Sequence, residues 1–471
     1  MAHYDVVVLG GGPAGERAAI QATRAGKKVA VVERHHVVGG NRVNWGTIPS
    51  KSLRESAVFF YQLTRNRLHG IRYEVSPELT VADFMQRERA VVKRELEMIG
   101  DSLGRYAVDV IHGHARFTGP HAVTVQPAAG GDATLLSADY VVIATGSRPN
   151  RPGDVPFDGE AVFDSESILQ LPRLPKTMTV LGAGVVGIEY ASIFAALGIA
   201  VTLVDTRDRL LPYFDREIVA TLVRELGELG VTIHHDERYA TIARLPGAAP
   251  RVACETQKGR RYESEALLYC VGRDGNTSDL GLETLGITPG KYGLLEVGAD
   301  YQTVHPHVYA VGDVIGYPAL ASTAMEQGRH AMRHAFGIAG PRGRTEVLPF
   351  AVYSIPEVAY VGETEESLVE KKVDYVAGRG DYAKNPRGQI LGDSDGIVKL
   401  LFERPSLTLV GAHIVGTSAS ELVHIGEAFL HQGATATEIA ETIYNYPTLS
   451  DMYRHAASKA LAEDRRRRTA G

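Results

Sequence analysis

The sequence predicts an α/β protein in three parts: two Rossmann-like units built on parallel strands, then a C-terminal α+β domain. Three observations predict it. An apolar strand, a GxGxxG turn, a helix, a second strand and a closing acid succeed one another within residues 4–33. The same succession returns within residues 177–205. From about residue 345 the pattern changes to alternating apolar runs and helical periodicity, which suggests a sheet with helices on one side.

In the first unit, residues 4–9 are an apolar, β-branched run, and Gly10, Gly12 and Gly15 follow it. Residues 14–25 read as a helix and residues 28–32 as a strand, ending at Glu33, 23 residues after Gly10. Gly10 permits a tight turn, Gly12 removes the side chain that would block a pyrophosphate, and Gly15 lets the helix approach the sheet. The helix N-terminus favours phosphate, and Glu33 suits the hydroxyls of an adenosine ribose. A lone GxGxxG is weak evidence; with these flanks it is a dinucleotide-binding fingerprint.

The second unit repeats it. Residues 177–181 form a strand, Gly182, Gly184 and Gly187 keep the spacing, and residues 188–197 continue as a helix closed by Gly198. The strand at residues 201–204 ends at Asp205, again 23 residues after the first glycine. Two such units argue for two dinucleotides bound face to face, as electron transfer between them requires. A carboxylate at Asp205 would bond the free ribose diol of NAD(H) and repel a 2′-phosphate. Arg207 and Arg209 follow closely, and arginine is the natural partner of that phosphate. NAD(H) is favoured, and NADP(H) stays open if Asp205 turns away.

Other segments gather around the first unit. Residues 38–51 are glycine-rich, hold the only tryptophan, Trp45, and enter a helix near Ser50, with Lys51 one turn in. Residues 141–144 read as a strand closed by Thr145-Gly146, and residues 308–311 as another closed by Gly312-Asp313. Small-residue turns at strand carboxyl ends are where open α/β sheets bind ligands. Asp313 would suit a polyol hydroxyl, and the amides beside it a pyrophosphate.

Composition narrows the function classes. The chain has 471 residues, 44% of them apolar, and a formal charge of −6, which fits roughly three soluble domains and gives no basic surface for nucleic acid. No apolar run reaches the ~20 residues of a membrane span, and the N-terminus lacks a secretory pattern, so a cytoplasmic protein is expected. Cys254 and Cys270 are the only cysteines, too few and too far apart for a disulfide framework or a cysteine metal site, and both should pack as small apolar residues. No metal site is expected. Arg465 to Arg468 read as a frayed, solvated tail.

Taken together, residues 10–15, 39–51, 144–149, 182–189, 312–313 and 446–448 resemble the pyridine nucleotide-disulfide oxidoreductases in order and spacing, over essentially the whole chain. The strings at residues 45–51, 187–192, 309–316, 423–426 and 445–448 are most similar to that family's transhydrogenase branch. The resemblance implies a homodimer binding FAD and nicotinamide dinucleotides. It implies an FAD-binding part at residues 1–150, an NAD(P)-binding domain at 151–273, a return toward the flavin at 274–344 and an interface domain at 345–471. Residues 53–106 read as long helices inserted in the first part, and Arg342 to Arg344 as a polar linker.

The departures from the family are equally informative. The two redox cysteines correspond here to Arg42 and Thr47, the acid–base histidine to Tyr446, the glutamate orienting it to Asp451, and the tyrosine over the nicotinamide pocket to Val185. The thiol relay is therefore missing. Hydride exchange between a nicotinamide and a flavin needs neither thiolate nor histidine base; it needs stacking and distance. Arg42 departs even from the transhydrogenase branch: it would tune the flavin, bind an anion or face solvent. The resemblance also pairs Lys51 with Glu189 beside flavin and nicotinamide, as tuners of hydride transfer rather than acid or base. The expected activity is FAD-dependent, ping-pong hydride exchange between NAD(H) and NADP(H). Two other readings stay open: an NAD(P)H-dependent flavin reductase acting on a quinone or other small acceptor, and a flavin-containing scaffold with little turnover.

Overall fold

The computed structural model describes residues 2–65, 80–339 and 347–470. Part of the expected helical insertion and the polar linker at Arg342 to Arg344 lie outside the described residues.

The β-branched N-terminal run forms the strand Ala2–Leu9 at the centre of a seven-stranded sheet. It pairs in parallel with Val29–Glu33 on one side and Thr134–Ile143 on the other. The expected strand at residues 141–144 is only the end of that longer element. The first half of Thr134–Ile143 pairs antiparallel with Ala122–Gln126, and its last three residues pair in parallel with Val308–Ala310. The helix Pro13–Arg24 packs along the helix Ala321–Ala335 so closely that a side chain at Gly328 would strike the Ala14 carbonyl. In its described residues the insertion holds the helices Thr47–Arg65 and Gln86–Arg105, with the short turn of helix Val81–Phe84 before the latter.

The second unit is a five-stranded parallel sheet in the order Val231–His234, Ala200–Val204, Thr177–Leu181, Ala266–Tyr269 and Val162–Asp164. Its helix Val185–Ala196 is buried around its whole circumference, because the helix Thr47–Arg65 covers the side away from the sheet. Gly198 follows it at φ +85°, the left-handed conformation that lets its N–H close onto Ala195. A three-stranded antiparallel sheet, residues 239–264, was not foreseen. The antiparallel pair Ser147–Pro149 and Arg273–Gly275 ties the chain's entry into this unit to its exit.

The C-terminal part is a five-stranded antiparallel sheet in the order Phe350–Val352, Val358–Gly362, Thr408–Val415, Ile397–Glu403 and Tyr375–Asp381. Its alternation sorts two faces. Ala359, Val398 and Ile414 face the helices Ala419–Gln432 and Met452–Ala470, while Val358, Ile397 and Val415 face the second unit. Tyr375–Asp381 was not legible because Gly378 and Gly380 look like turn residues. They are instead where the last helix touches the sheet: a Cβ at Gly378 would lie 1.8 Å from the Ala456 carbonyl oxygen. A short helix, Ala436–Glu441, precedes the turn at Tyr446. The four arginines are solvated but not frayed, since Met452–Ala470 runs through them and Arg467 and Arg468 pair with Glu463 and Asp464 one turn back. Among the described residues no helix is long and apolar enough to cross a membrane.

Candidate active site

Four parallel strands bring their carboxyl ends to one edge of the large sheet. Leu9 is in register with Val32 and Ile143, and Ile143 with Ala310. The chain leaves these strands through Gly10, Glu33, Thr145-Gly146 and Gly312-Asp313, and all of them border one cavity of about 780 Å³. Gly12 and Thr47 border it too. Gly15 does not: it stands against Gly10, where a Cβ would lie 1.9 Å from the carbonyl oxygen, which is the helix–strand packing role expected of it. Glu33 is buried and accepts from the Gly11 amide at 2.8 Å and the His35 amide at 3.0 Å.

Asp313 accepts from Ser147 Oγ at 2.8 Å, and Ser147 Oγ in turn accepts from Arg273 Nε at 2.8 Å. One expectation is corrected here. The Gly312 amide is not free for a pyrophosphate, because it donates to Gln327 Oε1 at 2.7 Å. Sequence reasoning also missed Arg148 and Asn276 on the cavity wall; Asn276 donates to the Thr145 carbonyl across the sheet connection, and no local spacing announces it.

Arg42 borders the same cavity but is only 15% exposed. Its guanidinium lies 3.6 Å from Glu16 and 3.8 Å from Glu95, so it neither faces solvent nor stands as an uncompensated charge. Arg42 Nε and Thr145 Oγ1 are buried without a hydrogen-bond partner in the protein. Cys254 and Cys270 lie outside the cavity wall. Burial pushes the Cys254 thiol up to about 11 and raises Cys270 further, so both are inert thiols.

The second glycine turn repeats the first. Gly182 turns at φ +94°, and a Cβ at Gly187 would lie 1.8 Å from the Gly182 carbonyl oxygen. Gly184 has no neighbour within 4 Å of where a Cβ would be, so the space beside it is free for a ligand. Asp205 is buried and accepts from the Ala183 and Arg207 amides and from the Arg207 side chain. Burial works against its charged form, but these donors outweigh burial and hold the carboxyl below the usual carboxylate range. Arg209 turns elsewhere, donating to the Pro212 carbonyl and lying 3.8 Å from Glu366 of the C-terminal part.

Lys51 and Glu189 bridge the two units. Lys51 Nζ lies 2.5 Å from Glu189 Oε2, and the other carboxylate oxygen accepts from the Tyr353 amide at 2.9 Å. Lys51 also stands 5.0 Å from the centre of the Tyr353 ring. Tyr353 is a further residue that sequence reasoning did not single out. Val185 opens the second helix, Tyr446 is 78% exposed, and Asp451 is bound to Arg454 and His455 rather than to Tyr446.

Residues 4–328 match the family model for pyridine nucleotide-disulphide oxidoreductases, and residues 348–457 match that family's dimerisation domain. The chain belongs to this family. It is 45% identical over 457 residues to the soluble pyridine nucleotide transhydrogenase of Mycobacterium bovis, covering 97% of each chain. It is 40% identical over 467 residues to the protein of that name from Chromohalobacter salexigens, covering 98% of each. Among solved structures it is similar to LpdA from Mycobacterium tuberculosis, with a TM-score of 0.87 and 30% identity over 97% of this chain and 99% of the other. The HOCl-induced flavoprotein disulfide reductase RclA from Escherichia coli is similar with a TM-score of 0.85 and 25% identity over the same shares. The chain is an oxidoreductase of this family, and its only cysteines, Cys254 and Cys270, lie outside the cavity wall. The cavity suits the family's FAD: a glycine turn at a helix start, strand carboxyl ends, and buried polar atoms of Asn41, Arg42 and Thr145 without a partner in the protein.

Proposed function

We propose that this enzyme exchanges hydride between NAD(H) and NADP(H) by a ping-pong route through FAD, as a homodimer in the cytoplasm and with the Si-specific stereochemistry. One feature carries the reading: by the family resemblance Arg42 and Thr47 correspond to the redox cysteines, while both glycine turns and the Lys51–Glu189 bridge are in place. The relatives' name points the same way.

Gly10, Gly12, Glu33, Thr47, Thr145, Gly146, Gly312 and Asp313 would hold FAD, with Gly15 closing the helix onto the sheet. Bound there, FAD would supply a two-electron carrier able to take hydride from one nicotinamide and return it to another. Gly182, Gly184, Gly187 and Asp205 would seat the nicotinamide nucleotide. Lys51, held by Glu189, keeps a fixed cation between the two units, where it would balance charge gained on reduction. Arg42, compensated by Glu16 and Glu95, leaves no nucleophile in the place of the cysteine relay. Ile443 and Tyr446 are strongly exposed apolar and aromatic side chains on the C-terminal part, the surface a second copy would cover.

The test is anaerobic bleaching of the bound flavin by NADH, then recovery of its colour on adding NADP⁺, and the same with the pair reversed. Parallel double-reciprocal plots would support the ping-pong order. A reduced flavin that reacts with quinones and ignores both oxidised nicotinamides would refute the proposal.

A further inference from the structure

The two acids that close the glycine units are held in the same way but finished differently. Glu33 takes the amide after the first glycine, Gly11, and the amide two residues on, His35. Asp205 takes the matching amides of Ala183 and Arg207. At the first unit the bonds to Glu33 end there, and the carboxylate borders the cavity. At the second unit the Arg207 side chain folds back over the acid, with Nε 2.8 Å from Oδ1 and Nη2 2.8 Å from Oδ2. Each oxygen of Asp205 already accepts two donors. The carboxylate is 4% exposed and the guanidinium over it is 38% exposed. A ribose approaching this site meets arginine before it meets aspartate.

We propose that Arg207 is the residue that lets this one site accept both nicotinamide nucleotides. The inference rests on the proposed function, because it concerns the same site. Folded onto Asp205, Arg207 cancels the charge that would repel a 2′-phosphate and presents a cation to it. Rotated outward, it uncovers a carboxylate whose lone pairs suit the ribose diol of NAD(H). The motion needed is a change of side-chain rotamer at a part-exposed arginine, while the backbone amides keep Asp205 in place. Arg209 points away from Asp205 in this structure, donating to the Pro212 carbonyl and lying 3.8 Å from Glu366.

The test is calorimetric binding of 5′-AMP and adenosine 2′,5′-bisphosphate to the FAD-loaded enzyme, which reads the ribose subsite without hydride transfer. Arg207→Ala should weaken the bisphosphate at least tenfold, about 1.4 kcal/mol, and tighten 5′-AMP, so that the two affinities move in opposite directions. Arg207→Lys should fall between, because it keeps the charge and loses the fork. Adding Asp205→Asn to Arg207→Ala should restore part of the bisphosphate affinity by removing the bare carboxylate. Equal weakening of both probes in Arg207→Ala, or an unchanged ratio, would overturn the inference and leave Arg207 as a loop brace. Flavin that neither NADH nor NADPH bleaches would defeat the proposed function instead, and the probe ratio would still judge Arg207.

Discussion

Glu189 divides its carboxylate between Lys51 and the backbone of Tyr353, at 2.5 and 2.9 Å. Three parts of the chain, far apart in sequence, are thereby fixed at one point. Replacing Lys51 with methionine should leave FAD content unchanged and slow flavin reduction by NADH about tenfold or more, because a preorganised cation is lost. Stopped-flow absorbance under argon reads this directly. Glu189→Gln should slow the same step without changing the shape of its pH profile, since neither group is assigned proton transfer.

The glycines of the second turn should separate by role. Gly184 has open space around it, so Gly184→Val should fold normally and raise the KM for both nicotinamides at least tenfold, with FAD retained. Gly187→Val forces a Cβ to within 1.8 Å of the Gly182 carbonyl oxygen, which should cost about 1–3 kcal/mol or more of stability. Thermal melts and flavin absorbance of the two purified variants distinguish a ligand effect from a packing effect. Loss of FAD first in Gly184→Val would mean that the two sites are assigned in reverse.

A buried charge cluster joins the second unit to the C-terminal sheet. Lys399, fully buried, lies 2.9 Å from Asp215 and 3.0 Å from Glu217 and also binds Glu365, while Arg379 binds Glu217. Lys399→Met should cost about 3–5 kcal/mol at neutral pH by stranding Asp215. Burial opposes charge at both carboxyls, but the nearby His413 and the bonds to Lys399 hold Asp215, and the bonds to Arg379 and Lys399 hold Glu217, below the usual carboxylate range. Burial lowers His413 as well. The sign follows from linkage. As pH falls below about 6.5 the unfolded chain protonates its histidine first, and below about 4.5 its carboxylates, so stability declines with acidification in both windows. Lys399 is held above its usual value despite burial, so its contribution is complete below about 10.5 and fades above that. Urea melts across pH test this; a Lys399→Met protein as stable as the parent at pH 7 would contradict it.

Removing both thiols should change little. Cys254 is buried and Cys270 half-buried, both thiols are pushed up and lie outside the cavity, so a Cys254→Ala, Cys270→Ala protein should reduce and reoxidise its flavin within about twofold of the parent rate. Rapid loss of flavin reduction in that protein, with FAD still bound, would restore a thiol to the chemistry.

The sequence alone carried the two glycine units, because their demands are local. A turn at positive φ, a helix touching a strand, and an acid at a strand end each need a particular residue at a particular spacing, so Gly10, Gly187, Glu33 and Asp205 announce themselves. The missing cysteines were legible for the same reason: Arg42 and Thr47 cannot form thiolates in any fold. What only tertiary structure decided is which side chains meet across long separations. The amide of Gly312 is spent on Gln327, Arg42 is sheltered between two carboxylates, and Arg207 covers Asp205 while Arg209 leaves it. A strand with two glycines was hidden because its reason lies in a helix about 75 residues later, where only a bare backbone lets Ala456 approach Gly378. Backbone rules act within a few residues and can be read in order along the chain; packing and charge pairing act through space, and the fold chooses the partners.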